Sequence, residues 1–334
     1  MARSSRSSRQ RARLGVTTGG RVGRAQPSSA RHVRMSDPAA VCMRHYVGMG
    51  EDLDERLRAA ATSVDMDTLL DLGCALADSH RLADAAACFR RASDLGSPEA
   101  AFNLGNSLAD QECWLEAVAA FELALERGEN DAWLNLGLVL HEVGDLAGEI
   151  HAYEQAEDAG DSGGPLGIAF ARREQGDREA AMAAAQRSAS AGNATAAAVV
   201  ACWQWCLTQD PSLEAALRAG ADHFPSARAD LGDLLVTTGR VEEARQVFER
   251  GMKLGESESM LTLGNLYADL LGDDDAAEVA YRAGSELGDA HAHHNLAVLL
   301  QSQDDLEGAE RHYRLAIEGG DTLAIAALRE LLTD

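Results

Sequence analysis

The chain has 334 residues and a formal net charge of −24 at pH 7, and only 4% of its residues are aromatic. No run approaches the roughly 18 apolar residues of a membrane-spanning helix, and a body this acidic repels nucleic acid and anionic membrane surfaces. The six cysteines, Cys42, Cys74, Cys88, Cys113, Cys202 and Cys206, form no disulfide framework and no CxxC metal pair, which points to reduced thiols packed as small apolar residues in a cytoplasmic protein.

Charge is distributed unevenly. Residues 1–34 carry nine arginines and no acid, which leaves 21 basic against 54 acidic residues in the remainder. This arginine-, serine- and glycine-rich stretch lacks the apolar residues of a core, so residues 1–48 are expected to be a disordered basic tail ahead of one repeat domain over 49–334. It has no hydrophobic segment of a secretory signal. Three readings stay open for it: a solvated tail, or a leader upstream of a start at Met35 or Met49; an arm for nucleic acid or a membrane surface; or an organelle-targeting peptide.

Residues 51–63 (EDLDERLRAAATS) read as a short helix with acids at its start, matching the helix dipole, and serve as an N-terminal cap or half-unit. From about Asp65 the chain repeats. Glycines stand at Gly96, Gly128, Gly160 and Gly192, 32 residues apart, and again at Gly255, Gly288 and Gly320. Each closes one apolar-periodic run and precedes the next, where a helix C-terminus takes a left-handed residue. A second ladder runs through Leu72-Gly73, Leu104-Gly105, Leu136-Gly137, Leu231-Gly232 and Leu263-Gly264, with Leu296-Ala297 as a degenerate member. Small residues follow at Ala85, Ala117, Ala244 and Ala309, then Phe89, Phe121, Tyr153, Phe248 and Tyr313, then Ala92, Ala124, Ala156, Gly251 and Ala316. Steps of three and four are helical, so each unit is two amphipathic helices joined by a turn such as Gly144-Asp145 or Gly239-Arg240. In this reading the small residue after leucine faces the alanine of the second helix, and the aromatic plugs into the next unit.

Units one to three run from Asp65 to Gly160, with Ser97-Pro98-Glu99 as a helix start. Unit four opens on Gly163-Gly164-Pro165, which is expected to delay its first helix. Unit five carries Cys202-Trp203-Gln204-Trp205-Cys206 and a shortened second helix ending at Phe224-Pro225, so residues 161–225 are expected to be the least regular part. Units six to eight restore the pattern, with an extra residue at Leu270-Leu271-Gly272-Asp273 in unit seven. The stretch Asp321–Leu332 reads as a capping helix.

The small-and-large alternation resembles the tetratricopeptide repeat, and the linker ASDLGSPEAAFNLG (Ala92–Gly105) resembles the related Sel-one-like repeat. The resemblance covers Asp65–Asp334 and implies an all-α fold: a right-handed superhelical α-solenoid of about eight helix-turn-helix repeats with capping helices at both ends. It also implies that first helices line a concave groove, into which residues flanking the Leu-Gly pairs point. Asn103, Asn135 and Asn295 precede the leucine, and Asn106 and Asn265 follow the glycine. An asparagine there grips a peptide backbone through one donor and one acceptor. Asp78, Asp110, Glu142 and Asp269 recur near the ends of first helices, as a solvated face or an acidic rim selecting a basic segment.

His291, His293 and His294 with Asp289 lack a fourth ligand, and Cys202 and Cys206 have no histidine nearby, so packing is preferred to metal binding for both groups. No nucleophile elbow, phosphate loop, dinucleotide fingerprint or HExxH occurs. The expectation is therefore a non-enzymatic scaffold without cofactor or metal, binding a protein or peptide segment, with basic or neutral partners favoured. Alternatives are a regulatory module that docks an enzyme or senses a small peptide, and an adaptor tethered to nucleic acid through residues 1–34.

Overall fold

The computed structural model describes residues 53–60 and 65–333. The basic tail and the alternative starts lie outside these residues. Among the described residues there are eighteen α-helices and no strand. A short helix α1 (Leu53–Ala60) comes first. Successive pairs follow: α2 (Met66–Asp78) and α3 (Leu82–Asp94); α4 (Pro98–Ala109) and α5 (Trp114–Glu126); α6 (Ala132–Val143) and α7 (Leu146–Asp158); α8 (Gly163–Glu174) and α9 (Arg178–Ser190); α10 (Ala194–Thr208) and α11 (Glu214–Gly220). After these stand α12 (Pro225–Thr237) and α13 (Val241–Lys253), α14 (Ser257–Asn265) and α15 (Asp274–Glu286), α16 (Ala290–Ser302) and α17 (Leu306–Glu318), and last α18 (Leu323–Leu331). The described residues divide inside α10 into two compact blocks, those up to Val200 and those from Ala201.

From α1 to α9, and again from α11 to α18, each helix packs on its neighbours in sequence. Most of these helices have 12 or 13 residues, a length that is marginal alone in water, so packing against neighbours holds them. The linkers explain the 32-residue beat. Gly96 through Gly320, at the linker positions, take φ between 80° and 110°. At the first of them, Ser97 N–H donates to the Ala92 carbonyl at 3.2 Å and Gly96 N–H to that of Ser93 at 2.7 Å, the paired bonds that close a helix around a left-handed residue. The next helix starts at once: Ser97 Oγ accepts from Ala100 N–H at 3.0 Å, and Pro98 needs no amide partner in the first turn.

The core corrects one detail of the sequence reading. A Cβ built on Gly73, Gly105, Gly137, Gly232 or Gly264 would lie 2.1–2.6 Å from the ring of Phe89, Phe121, Tyr153, Phe248 or Tyr281. The aromatic therefore fills the slot left by the missing Cβ in its own hairpin rather than plugging chiefly into the next unit. Tyr153 does both, since Gly167 of the following pair also abuts its ring. The buried alanines Ala85, Ala117 and Ala124 sit around these rings.

Two irregularities also have physical causes. Gly163-Gly164-Pro165 does not delay α8, which begins at Gly163. A side chain at Gly164 would meet Glu157 N and Tyr153 O at 2.6 Å, so the glycine lets α8 approach the backbone of α7. In unit seven the extra residue is absorbed by a π-helical turn at Leu266–Leu271 that ends on Gly272 at φ 67°.

Candidate binding face of the first helices

The sequence-derived asparagines pair across repeats. Asn135 Nδ2 on α6 donates to Asn106 Oδ1 on α4 at 2.6 Å. In the second block, Asn295 Nδ2 on α16 donates to Asn265 Oδ1 at the end of α14 at 2.8 Å. In both cases the residue after the glycine of one unit accepts from the residue before the leucine of the next. Asn265 Oδ1 also accepts from the Tyr281 hydroxyl at 2.8 Å. At these two places a first helix is thus tied to the next by a side-chain amide bond, and the acceptor's orientation is set.

That orientation leaves the amide –NH2 of Asn106 and of Asn265 pointing away from the bond they accept. Both residues are half-exposed, as is Asn135. Asn103 and Asn295 differ: they are buried, at 6% and 2% exposure. Asn103 Nδ2 has no hydrogen-bond partner. The five asparagines therefore split into an accessible set of three and an inner pair beneath it.

The same register recurs with other chemistry. Cys202 on α10 hydrogen-bonds Asp230 on α12, and burial, then the Asp230 carboxylate, push the thiol well above its ordinary value. It stays a protonated thiol, unsuited to nucleophilic attack. The indole Nε1–H of buried Trp205 donates to Asp233 Oδ2 at 3.2 Å. Both tryptophans of this stretch are buried, so Trp203 offers no exposed contact.

The histidines serve packing and capping. Asp289 Oδ1 accepts from His291 N–H at 2.9 Å and Ala292 N–H at 3.0 Å. His294 Nδ1 lies 2.6 Å from Asp321 Oδ2, both buried. His293 and His312 meet through Nδ1 atoms 2.9 Å apart. Burial, then the neighbouring His293, lowers His312 to about 4, and burial lowers His293 as well. No group of three or more histidine, cysteine or carboxylate side chains among the described residues is arranged to hold a metal ion. None of the described cysteines forms a disulfide. No described helix is long and apolar enough to cross a membrane.

Sequence reasoning missed the inter-repeat amide bonds, whose signal is the 29- and 30-residue offset between Asn106 and Asn135 and between Asn265 and Asn295. It also missed Arg228. Three residues before Leu231 it occupies the place that Ala101 holds before Leu104, a core position, and it is 3% exposed. Its guanidinium bonds Glu256, Asp222 at 3.2 Å and the Ala221 carbonyl at 2.5 Å.

Tetratricopeptide-repeat profiles match residues 70–131, 102–165, 211–257 and 290–319, together just over half of the chain. The chain belongs to the tetratricopeptide-repeat family. This repeat protein is similar in structure to a Sel1 repeat protein from Oxalobacter formigenes, at 18% identity over 85% of this chain and 95% of that one, with a TM-score of 0.54. It is also similar to a chain of the APC/C hetero-tetramer Cut9-Hcn1, at 16% identity and a TM-score of 0.56. That match covers 87% of the repeat protein and 61% of the Cut9-Hcn1 chain. No curated protein matches it in sequence. The helix-turn-helix repeat expected from the glycine and Leu-Gly ladders is thus shown, and the tetratricopeptide fold commonly mediates protein–protein interaction.

Proposed function

We propose that this protein is a non-enzymatic interaction scaffold whose first helices receive an extended segment of a partner protein. One observation carries this reading: Asn106 and Asn265, at the same register in the two blocks, each have their carbonyl oxygen engaged by the next repeat while the residue itself stays half-exposed. A pre-oriented amide donor recurring along a repeat is suited to a peptide carbonyl, whose position does not depend on side-chain identity. One such bond contributes only about 0.5–1.5 kcal/mol net, so recognition uses several rungs together.

The carboxylates near the ends of first helices, Asp78, Asp110, Glu142 and Asp269, are exposed. They favour a basic segment over an acidic one. The test separates donor from scaffold. Asn106→Asp and Asn265→Asp keep the carbonyl-like oxygen that accepts the inter-repeat bond and remove the outward –NH2. Partner capture on immobilised double variant is expected to fall at least tenfold relative to wild type, with a thermal midpoint within a few degrees. Undiminished capture would reject the asparagine rungs as contacts.

A further inference from the structure

One join between first helices lacks the acceptor that its register calls for. In the Asn106–Asn135 and Asn265–Asn295 bonds, the residue before the leucine donates its amide to the residue after the glycine of the preceding unit. Between α10 and α12 a cysteine takes the facing place: Cys202 bonds Asp230, which precedes Leu231. Three joins thus bring the residue before the leucine against the preceding first helix.

The join of α2 and α4 follows the same count. Asn103 precedes Leu104 and Cys74 follows Gly73, and they stand 29 residues apart, the interval between Asn106 and Asn135. The register sets Asn103 opposite Cys74, where no side-chain carbonyl exists. The consequence is visible in the structure. Asn103 Nδ2 has no hydrogen-bond partner, although the residue is only 6% exposed, whereas the amides of Asn135 and Asn295 at the same place are both bonded. A buried donor without an acceptor is costly and rare.

Cys74 can supply that acceptor. It forms no disulfide and is half-buried at the edge of the first core cluster, so part of the residue stays open to solvent. Cys88 and Cys202 are buried, and burial pushes both thiols up, away from the reactive thiolate. In asparagine the acceptor oxygen is two bonds from Cβ. In a cysteine sulfenic acid the oxygen is also two bonds from Cβ. One oxygen added to Cys74 Sγ therefore builds an acceptor where the other joins have Oδ1.

We propose that Cys74 is a site of reversible oxidation by hydrogen peroxide, and that its sulfenic acid accepts from Asn103 Nδ2 and locks α4 onto α2. Sγ attacks one peroxide oxygen. The S–O bond forms as the O–O bond breaks, and the leaving hydroxide takes the thiol proton and departs as water. Sulfur loses two electrons and peroxide gains them. A dithiol reductant reverses the step, ending as its own disulfide and water. Asn106 and Asn265 take no part, so the proposal stands or falls apart from the partner-binding reading.

Peroxide treatment of the full-length protein tests it. One aliquot is trapped with dimedone for peptide mass mapping, and another is melted. Oxidised wild type is expected to carry the adduct at Cys74 and to melt about 2–4 °C above the reduced form, a gain that dithiothreitol removes. Cys74→Ala and Asn103→Leu are each expected to lose the gain, whereas Cys206→Ser, which removes an exposed thiol outside the join, keeps it. Cys74→Asn places the acceptor without oxidant, so its reduced form is expected to melt above wild type and to gain nothing from peroxide. Absence of the Cys74 adduct, an adduct without a gain, or a gain that persists in Asn103→Leu would overturn the proposal. If Asn103→Leu is too unstable to melt cooperatively, Cys74→Asn decides: a midpoint no higher than that of reduced wild type rejects the join.

Discussion

A Cβ at Gly105 would lie 2.6 Å from the buried ring of Phe121, and a Cβ at Gly96 would meet nothing within 4 Å but sits at φ 110°. The two glycines serve different needs, and substitution separates them. Gly105→Ala forces the ring or the helix to shift and is expected to cost about 1–3 kcal/mol by denaturant titration. Gly96→Ala costs about 1–2 kcal/mol through backbone strain alone. Positive φ also occurs at His80, Glu112 and Asp304, at turns where other units place glycine. Glu112→Gly is accordingly expected to raise stability by about 0.5–1 kcal/mol, and a loss of stability would contradict the turn assignment. The glycine positions were legible because glycine is chemically distinctive. Arg228 was not, because an arginine in a helix reads as surface until the repeat register is imposed on it.

At the scale of the element, α11 has seven residues where other second helices have thirteen. Buried Arg228 holds this irregular region by joining Asp222 and Ala221, after α11, to Glu256 ahead of α14. Removing one partner of a buried ion pair leaves the other uncompensated, so Arg228→Ala is expected to cost about 3–5 kcal/mol in chemical denaturation. Arg228→Lys should recover only part, because a single ammonium cannot span three acceptors. A loss below about 1 kcal/mol for the alanine variant would show that the network contributes little.

Between α16 and α17 the contact of His293 with His312 sets a pH response. His312 titrates near 4 in the folded chain and near 6.5 when unfolded, because burial and then His293 disfavour its charged form; Arg311 and Arg282 act in the same direction and Asp305 opposes. The unfolded chain therefore binds the proton more readily. Stability from the neutral ring is fully present above pH 6.5 and is lost as pH falls toward 4. His312→Gln should flatten the thermal midpoint between pH 6.5 and 4, and an unchanged slope would assign the acid sensitivity elsewhere. The helices themselves were readable from three- and four-residue spacing. The inter-repeat amide bonds were not, because their partners lie 29 or 30 residues apart and only packing of successive first helices joins them.

For the molecule as a whole, the period carried most of the information. Glycines at a fixed interval, leucine-glycine pairs and an aromatic sixteen residues after the glycine in four of the five pairs were sufficient to anticipate stacked hairpins, because each hairpin meets mainly its neighbours. The direction in which the aromatic packs was not legible, since a missing Cβ leaves no positive mark in a sequence. Nor was the division of the asparagines into accessible and buried sets, which depends on how closely successive first helices approach. The donor reading rests on that packing: Asn106 and Asn265 accept from Asn135 and Asn295 through their carbonyl oxygens, and we propose that the amide –NH2 of each serves a partner chain. The most direct measurement of that claim is quantitative partner capture on wild type and on Asn106→Asp/Asn265→Asp, each with its thermal midpoint. The account predicts at least a tenfold loss of capture with folding intact, whereas equal capture by the two proteins would contradict it.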